Sequence, residues 1–209
     1  MIKAVIFDLW GTLAFNKNHI GSYIERINEI IGQENKEKFI ELRRDWYVSR
    51  MSEEEFFTKL LKSINKPILL SEQLLKIWNS QIDSIELYKD SLDVLKLLKS
   101  RNIKLVLLSN TVPITNKCLE KLDIAKYFDI IFLSCNEGML KPSPMIYNRI
   151  LEKLKFKPEE VIAIGDQINT DITGAETYGI KAILIDRENK NNYKNKITEL
   201  DEIEFYLYK

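Results

Sequence analysis

Apolar residues follow one another along this chain in two rhythms. Five short, nearly unbroken apolar runs occupy residues 3–8, 103–108, 129–133, 161–165 and 180–185. Runs of this length, rich in Val, Ile, Leu and Phe, predict strands buried on both faces. Residues 113–124, 144–155 and 169–178 instead place apolar side chains at helical spacing, and a further helix over 90–100 leads into the second run. Strands that alternate with helices predict parallel strands joined by crossovers, hence a three-layer α/β sheet.

The interval from residue 15 to 84 differs, with no convincing strand. Ile20, Tyr23, Ile24, Ile27, Ile30 and Ile31 mark one amphipathic helix face. Phe56, Phe57, Leu60, Leu61 and Ile64 mark a second, and Leu74, Leu75, Ile77 and Trp78 a third. Ser52 followed by Glu55 has the spacing of a capping box ahead of the second helix. A helical module inserted after the first strand is expected. The polar run 188–196 predicts a solvated loop, and the apolar tail Ile203–Tyr208 predicts packing on the core.

Composition narrows the function classes. The chain has 209 residues, 45% of them hydrophobic, so a sizeable core is expected. Lys and Arg number 31, as do Asp and Glu, which removes any net-charge argument for nucleic acid or an anionic membrane as partner. Cys118 and Cys135 are too few for a disulfide framework and predict free, partly buried thiols in a reducing cytoplasm. No leader pattern and no membrane-length apolar stretch stands out, so a soluble cytoplasmic protein is expected. His19 is the sole histidine, which argues against a His-rich zinc site or a Ser-His-Asp triad and reads as a solvent-facing residue near a helix start.

The chemistry gathers at the strand ends, where open parallel sheets bind ligands. The first run ends in Asp8, the second in Ser109-Asn110-Thr111, and the fourth in Gly165-Asp166 with Asp171 beyond. Lys141 follows the third in a turn rich in Gly and Pro. Close carboxylates repel one another and call for a cation. Asp8, Asp166 and a backbone carbonyl make an all-oxygen site suited to Mg²⁺. Screened by metal and Lys141, Asp8 can attack an electrophilic phosphorus, and Ser109 and Lys141 can hold the transferring group.

These four elements, in this order and spacing, resemble the haloacid dehalogenase (HAD) superfamily across essentially the whole chain. The resemblance implies a Rossmann-like core over 1–14 and 85–209 and a helical cap over 15–84. It implies Asp8 as nucleophile and metal ligand, with the Trp10 carbonyl and Asp166 as further ligands. Asp171 would orient Lys141 or a water; Thr12, Ser109, Asn110 and Lys141 would hold the phosphoryl oxygens and the geometry of the motifs. The expected activity is Mg²⁺-dependent hydrolysis of a small phosphorylated metabolite.

Trp10 departs from the pattern, because most phosphatases of this superfamily carry a second Asp there as acid and base. An indole N–H donates a hydrogen bond but does not usefully transfer a proton. Four readings therefore stay open. A phosphohydrolase could use a good leaving group or borrow an acid. A 2-haloacid dehalogenase resembles the chain in its aromatic residue at this position, with Arg43 or Arg44, near Trp46 and Tyr47, binding carboxylate and halide. A C–P bond hydrolase would need a cap lysine such as Lys17, Lys36, Lys38 or Lys59. A non-catalytic binding protein would keep phosphate affinity alone. Asp166 favours the first over the second, since dehalogenases of that type work without metal and carry Ser there.

Overall fold

The computed structural model describes residues 1–18 and 21–207. The expectations for His19, for Ile20 and for Tyr208 lie outside the described residues. Strand β1 (Ala4–Phe7) is buried along its whole length. After it come β2 (Ala14–Asn16) and four helices, α1 (Gly21–Ile31), α2 (Lys36–Trp46), α3 (Glu53–Ser63) and α4 (Ser71–Ser80). The chain returns through β3 (Ile85–Leu87) and α5 (Ser91–Ser100) to β4 (Lys104–Ser109). Helix α6 (Thr115–Leu122), strand β5 (Ile130–Leu133), helices α7 (Ser134–Glu137) and α8 (Pro144–Leu154) and strand β6 (Val161–Gly165) follow. Helix α9 (Thr173–Glu176), strands β7 (Lys181–Ile185) and β8 (Lys196–Ile197) and helix α10 (Glu204–Leu207) complete the order.

Six strands form one parallel sheet in the order β5-β4-β1-β6-β7-β8. Side chains alternate across each strand, so one apolar run supplies two cores. Val5, Phe7, Leu105 and Leu107 pack with Leu95 and Leu98 of α5 on one face. Ala4, Ile6, Val106 and Leu108 pack with Ile146 and Ile150 of α8 on the other. All five predicted strands are present, β6 with the expected bounds and the others within one residue at their ends. Ile203 and Leu207 of the C-terminal tail are buried in the first core, while Phe205 is exposed.

The four inserted helices build a third core, which Ile85, Val112, Ile114 and Cys118 close at its base. Trp46 stacks on Phe56 with centroids 3.9 Å apart and touches Trp78, and its indole N–H donates to the Met51 carbonyl at 2.7 Å. The Ser52–Glu55 capping box forms in both directions, 3.2 Å and 2.7 Å, and starts α3. Two features differ from expectation. Helix α2 is a fourth helix, anchored by Phe39, Leu42 and Trp46 alone in a run otherwise nearly all polar. Residues 15 and 16 are not helical but pair antiparallel with β3, Asn16 opposite Ile85. Both connections to the insert thus run through one two-stranded ribbon.

Asp129 fastens the start of β4 to that of β5. Its carboxylate accepts from Lys99 (2.9 Å), Lys104 (2.8 Å) and the Leu105 N–H (2.9 Å). Partial burial opposes its charge, but these donors outweigh it and bring its pKa from 3.8 down to about 2. A lowered carboxylate contributes stability that is complete above the unfolded value and is lost as pH falls through the folded one. Asp129→Asn is expected to melt about 2–4 °C lower at pH 7. Thermal scans from pH 7 down to pH 2 should show that gap closing between about 4 and 2; a constant gap would rule out the charge as its source.

Candidate active site

The carboxyl edge of the sheet collects the candidate side chains, three of them at or just past the ends of strands. Asp8 lies just past β1, with its N–H on the Ile164 carbonyl at 2.9 Å. Ser109 ends β4, and Asp166 follows β6. Lys141 comes from the loop between α7 and α8, and Asp171 from a π turn, Ile168–Ile172, that precedes α9. In that turn the Gln167 carbonyl accepts from both Asp171 N–H (2.9 Å) and Ile172 N–H (3.4 Å). The widened turn replaces the regular helix expected from residue 169, a common device at functional sites.

The Lys141 ammonium sits 2.6 Å from Asp8 Oδ1 and 2.7 Å from Asp171 Oδ1. Asp171 Oδ2 also accepts the Gln167 N–H at 3.0 Å. One oxygen from each of Asp8, Asp166 and Asp171 falls within 4.8 Å of the others. Three carboxylates against one ammonium leave this edge short of positive charge. Burial pushes Asp8 up to about 7, with Asp171 and Asp166 adding to the rise and Lys141 opposing it. Burial and the Asp171 charge push Asp166 up to about 6. Burial works against the Lys141 charge, but Asp8 and Asp171 outweigh it and hold the lysine protonated above its ordinary range.

Three buried oxygens here lack a hydrogen-bond partner among the described residues: Asp166 Oδ1, Ser109 Oγ and Thr12 Oγ1. Buried polar groups are normally satisfied, so orphans together at one edge mark where a ligand belongs. Two glycines let the carboxylates come this close. A Cβ on Gly11, whose φ is +80°, would stand 2.3 Å from Asp166 Oδ2; one on Gly165 would stand 2.3 Å from Asp171 Oδ2. The carboxylate set and the orphaned Asp166 oxygen suit a hard, oxygen-seeking divalent cation such as Mg²⁺.

Asn110 is placed differently from a plain phosphate ligand. Its carboxamide accepts from the Lys141 N–H at 2.7 Å and donates to the Lys141 carbonyl at 3.0 Å, so it positions the lysine while still bordering the cleft. That cleft, about 710 Å³, lies between the sheet edge and the inserted helices. Trp10 lines it, packs against both neighbouring cores, and donates its indole N–H to Thr111 Oγ1 at 3.4 Å.

Of the four residues expected from the insert, the structure brings two to the cleft. Arg43 and Tyr47 line it, the guanidinium carbon 5.8 Å from the Tyr47 ring centre and 5.8 Å from that of Trp78. Arg43 Nε is buried without a partner, and no carboxylate among the described residues pairs with this side chain. Arg44 is instead exposed to solvent and Trp46 is fully buried in the insert's own core, because a helix turns successive residues about 100° apart. Tyr23, Trp78 and Gln81 also line the cleft. Tyr23 and Trp78 read in the sequence only as core positions of their helices, and no pattern singled out Gln81.

No lysine of the inserted helices lines the cleft among the described residues. Lys36 and Lys59 are exposed, Lys17 pairs with Glu86, and Lys38 pairs with Glu41 at 2.9 Å. None of these four lysines stands at the cleft, where a C–P bond hydrolase would need its amine. No helix among the described residues is long and apolar enough to cross a membrane.

Comparison with known proteins adds a second line of observation. A family model of haloacid dehalogenase-like hydrolases matches residues 2–179. The glyceraldehyde 3-phosphate phosphatase of Methanothermobacter thermautotrophicus is 27% identical over 197 residues, 90% of this chain and 87% of that protein. A HAD family enzyme of Bacteroides thetaiotaomicron, solved in complex with magnesium and inorganic phosphate, superposes with a TM-score of 0.73 at 25% identity, over 93% of this chain and 98% of its own. A 2-haloacid dehalogenase of Pseudomonas syringae pv. Tomato DC3000 superposes as well, TM-score 0.75 over 99% and 98% of the two chains, at 18% identity. The fold is common to both, and the side chains must separate the chemistries.

Proposed function

Because the chain belongs to the haloacid dehalogenase-like hydrolases, we propose that it is a magnesium-dependent phosphatase of a small phosphorylated metabolite, with residues 15–84 as its cap. The observation that carries this reading is the buried, orphaned Asp166 oxygen beside Asp8, in a half-buried to buried cluster short of positive charge. A halide-displacing site would gain nothing from that carboxylate. The similar phosphatase and the neighbour that holds magnesium and phosphate support the same choice.

Asp8 attacks phosphorus through a carboxylate oxygen. The bond to the leaving oxygen breaks with its electron pair, and an aspartyl-phosphate forms on Asp8. Water then hydrolyses the intermediate, releasing inorganic phosphate and restoring the carboxylate. Lys141 stays charged and offsets the negative charge of nucleophile and phosphoryl group. Asp171 and Asn110 hold that lysine in place. Ser109 Oγ and Thr12 Oγ1 donate to phosphoryl oxygens. Magnesium, held by Asp8, Asp166 and the Trp10 carbonyl, would supply further neutralisation of the phosphoryl oxygens.

No carboxyl group of the inserted helices lines the cleft among the described residues, so none stands there in place of the one absent at Trp10. The substrate that fits best has a leaving group that departs without a proton, as an acyl phosphate does. Arg43, with no carboxylate of its own, would grip an anionic or carbonyl end of that substrate.

Phosphate release from an acyl phosphate, an aryl phosphate and an alkyl phosphate ester, each with Mg²⁺ and with EDTA, tests the reading. Release should need Mg²⁺ and should run fastest on the acyl and aryl substrates, with alkyl esters about 10²-fold slower or worse. No release from any of the three in Mg²⁺ would overturn the proposal, and chloride release from 2-chloropropionate would be the next assay.

A further inference from the structure

Behind the turn that follows Asp8 lies a group that touches neither cleft nor carboxylate cluster. Arg187, two residues past β7, has its guanidinium planted against the Asp90 carboxylate in a two-pronged pair, Nη1 to Oδ2 at 2.9 Å and Nη2 to Oδ1 at 3.0 Å. Its Nη2 also donates to the Thr12 carbonyl at 2.8 Å. The guanidinium carbon lies 3.7 Å from the Tyr88 ring centre, and Tyr88 in turn packs on Phe15 at 4.7 Å. Asp90 is fixed as well, accepting the Leu200 N–H at 2.8 Å. The Arg187 and Asp90 side chains are only 16% and 7% exposed, so the pair sits in a low-dielectric setting where its geometry is held firmly.

Other bonds close on the same turn. The Leu13 carbonyl accepts from the Tyr88 N–H (3.0 Å) and from Ser91 Oγ (2.8 Å). The Leu9 carbonyl accepts from Leu13 and Ala14 N–H, both at 2.9 Å. Among the described residues Thr12 has no comparable support apart from Arg187: its side-chain oxygen is an orphan, and its carbonyl is held by that one guanidinium. A lysine would not replace it, because a single ammonium cannot span both Asp90 oxygens, stack flat on Tyr88 and still reach Thr12.

We propose that Arg187 is a positioning residue, whose guanidinium, locked by Asp90 and Tyr88, holds the Thr12 carbonyl and thereby sets how the Trp10–Thr12 turn faces the reacting phosphoryl group. This rests on the reading of Asp8 as nucleophile. The role is distinct from stabilising the fold at large: loss of the tie should release this turn while the strands keep their register. A displacement near 1 Å at such a turn is enough to cost up to about 10²-fold in rate.

Arg187→Lys and Asp90→Asn carry the test, with two readouts. The first is amide hydrogen exchange over residues 9–14. Both variants should speed it about tenfold, with exchange in β4 and β6 unchanged; a tenfold change is one factor of ten in local opening. The second is steady-state hydrolysis of an aryl phosphate in Mg²⁺, where kcat should fall about tenfold or more while KM stays within about twofold. Unchanged exchange over 9–14 in both variants overturns the proposal, as does faster exchange with unaltered kcat. If the wild-type chain releases no phosphate, the function proposed above fails by itself. The exchange data then decide alone whether Arg187 orders this turn. A uniform rise in exchange across all strands would mean a purely structural role and would also overturn it.

Discussion

Asp8→Asn is expected to lose about 10⁴-fold or more in turnover, because the neutral amide cannot form the aspartyl-phosphate. The same substitution should leave the metal-free protein at least as stable as wild type. Burial and the neighbouring carboxylates raise Asp8 from 3.8 to about 7, so the folded state resists ionising it. A carboxyl raised on folding costs stability as pH climbs past its unfolded value, and the cost is complete above the folded one. Asn carries no such cost, and its oxygen can still accept from Lys141. In EDTA the variant should melt level with wild type near pH 4 and above it at pH 8. Reaction rates and melting curves on one preparation check both halves. Turnover within tenfold of wild type would remove Asp8 from the role of nucleophile. A lower melting point at pH 8 would show that the pairing with Lys141 matters more than the crowding of carboxylates. A site built for reaction at the expense of stability is a familiar compromise.

The second large effect is expected in the opposite direction. Trp10→Asp should raise hydrolysis of alkyl phosphate esters by about 10² or more, since a carboxyl group there can protonate a departing alkoxide. Acyl phosphates, whose leaving group is already stable as an anion, should gain little. The measured quantity is the ratio of alkyl to acyl rates. Melting should occur at lower temperature, because Trp10 packs against both adjoining cores and its N–H holds Thr111. Trp10→Phe supplies the control: it keeps an aromatic wall, adds no acid and should leave the ratio where it was. An unaltered ratio in Trp10→Asp would end the argument that a missing proton donor limits this enzyme.

What could be read from the sequence, and what could not, follows from how far apart the interacting residues lie. A central parallel strand advertises itself, because β1 must be apolar on both faces and Ala4–Phe7 is. The strand-end residues Asp8, Ser109 and Asp166 could be brought to one edge by topology alone, since every parallel strand points its carboxyl end the same way. Local capping was also legible, as Ser52 and Glu55 are three residues apart. Helix α2 was obscured because its buried face is only Phe39, Leu42 and Trp46 amid charge. The ribbon of β2 with β3 is a pairing between Phe15 and Glu86, far apart in the chain, and three-residue strands leave no pattern. Within α2, Arg43 and Arg44 looked alike; only the rotation of the helix separates the side chain in the cleft from the one in solvent. The tie from Arg187 to Asp90 and Thr12 joins three distant segments, and no local signal could have named it.

The ribbon carries one more consequence. Asn16 and Ile85 are direct partners across it, so the chain leaves for the four helices and comes back at points roughly 5 Å apart. Seen from the sheet, the four helices α1 to α4 are a decoration hung on a hairpin. A tight turn joining Asn16 to Ile85 would restore a continuous hairpin without rerouting any strand of the sheet. Such an excision would uncover Val112, Ile114 and Cys118, the apolar ground on which the helices rest. Whole helical units can therefore be exchanged at this stem in a single genetic step, provided each newcomer covers those three side chains. On the function proposed above, such a graft would be expected to change substrate choice while leaving Asp8 and its neighbours where they are.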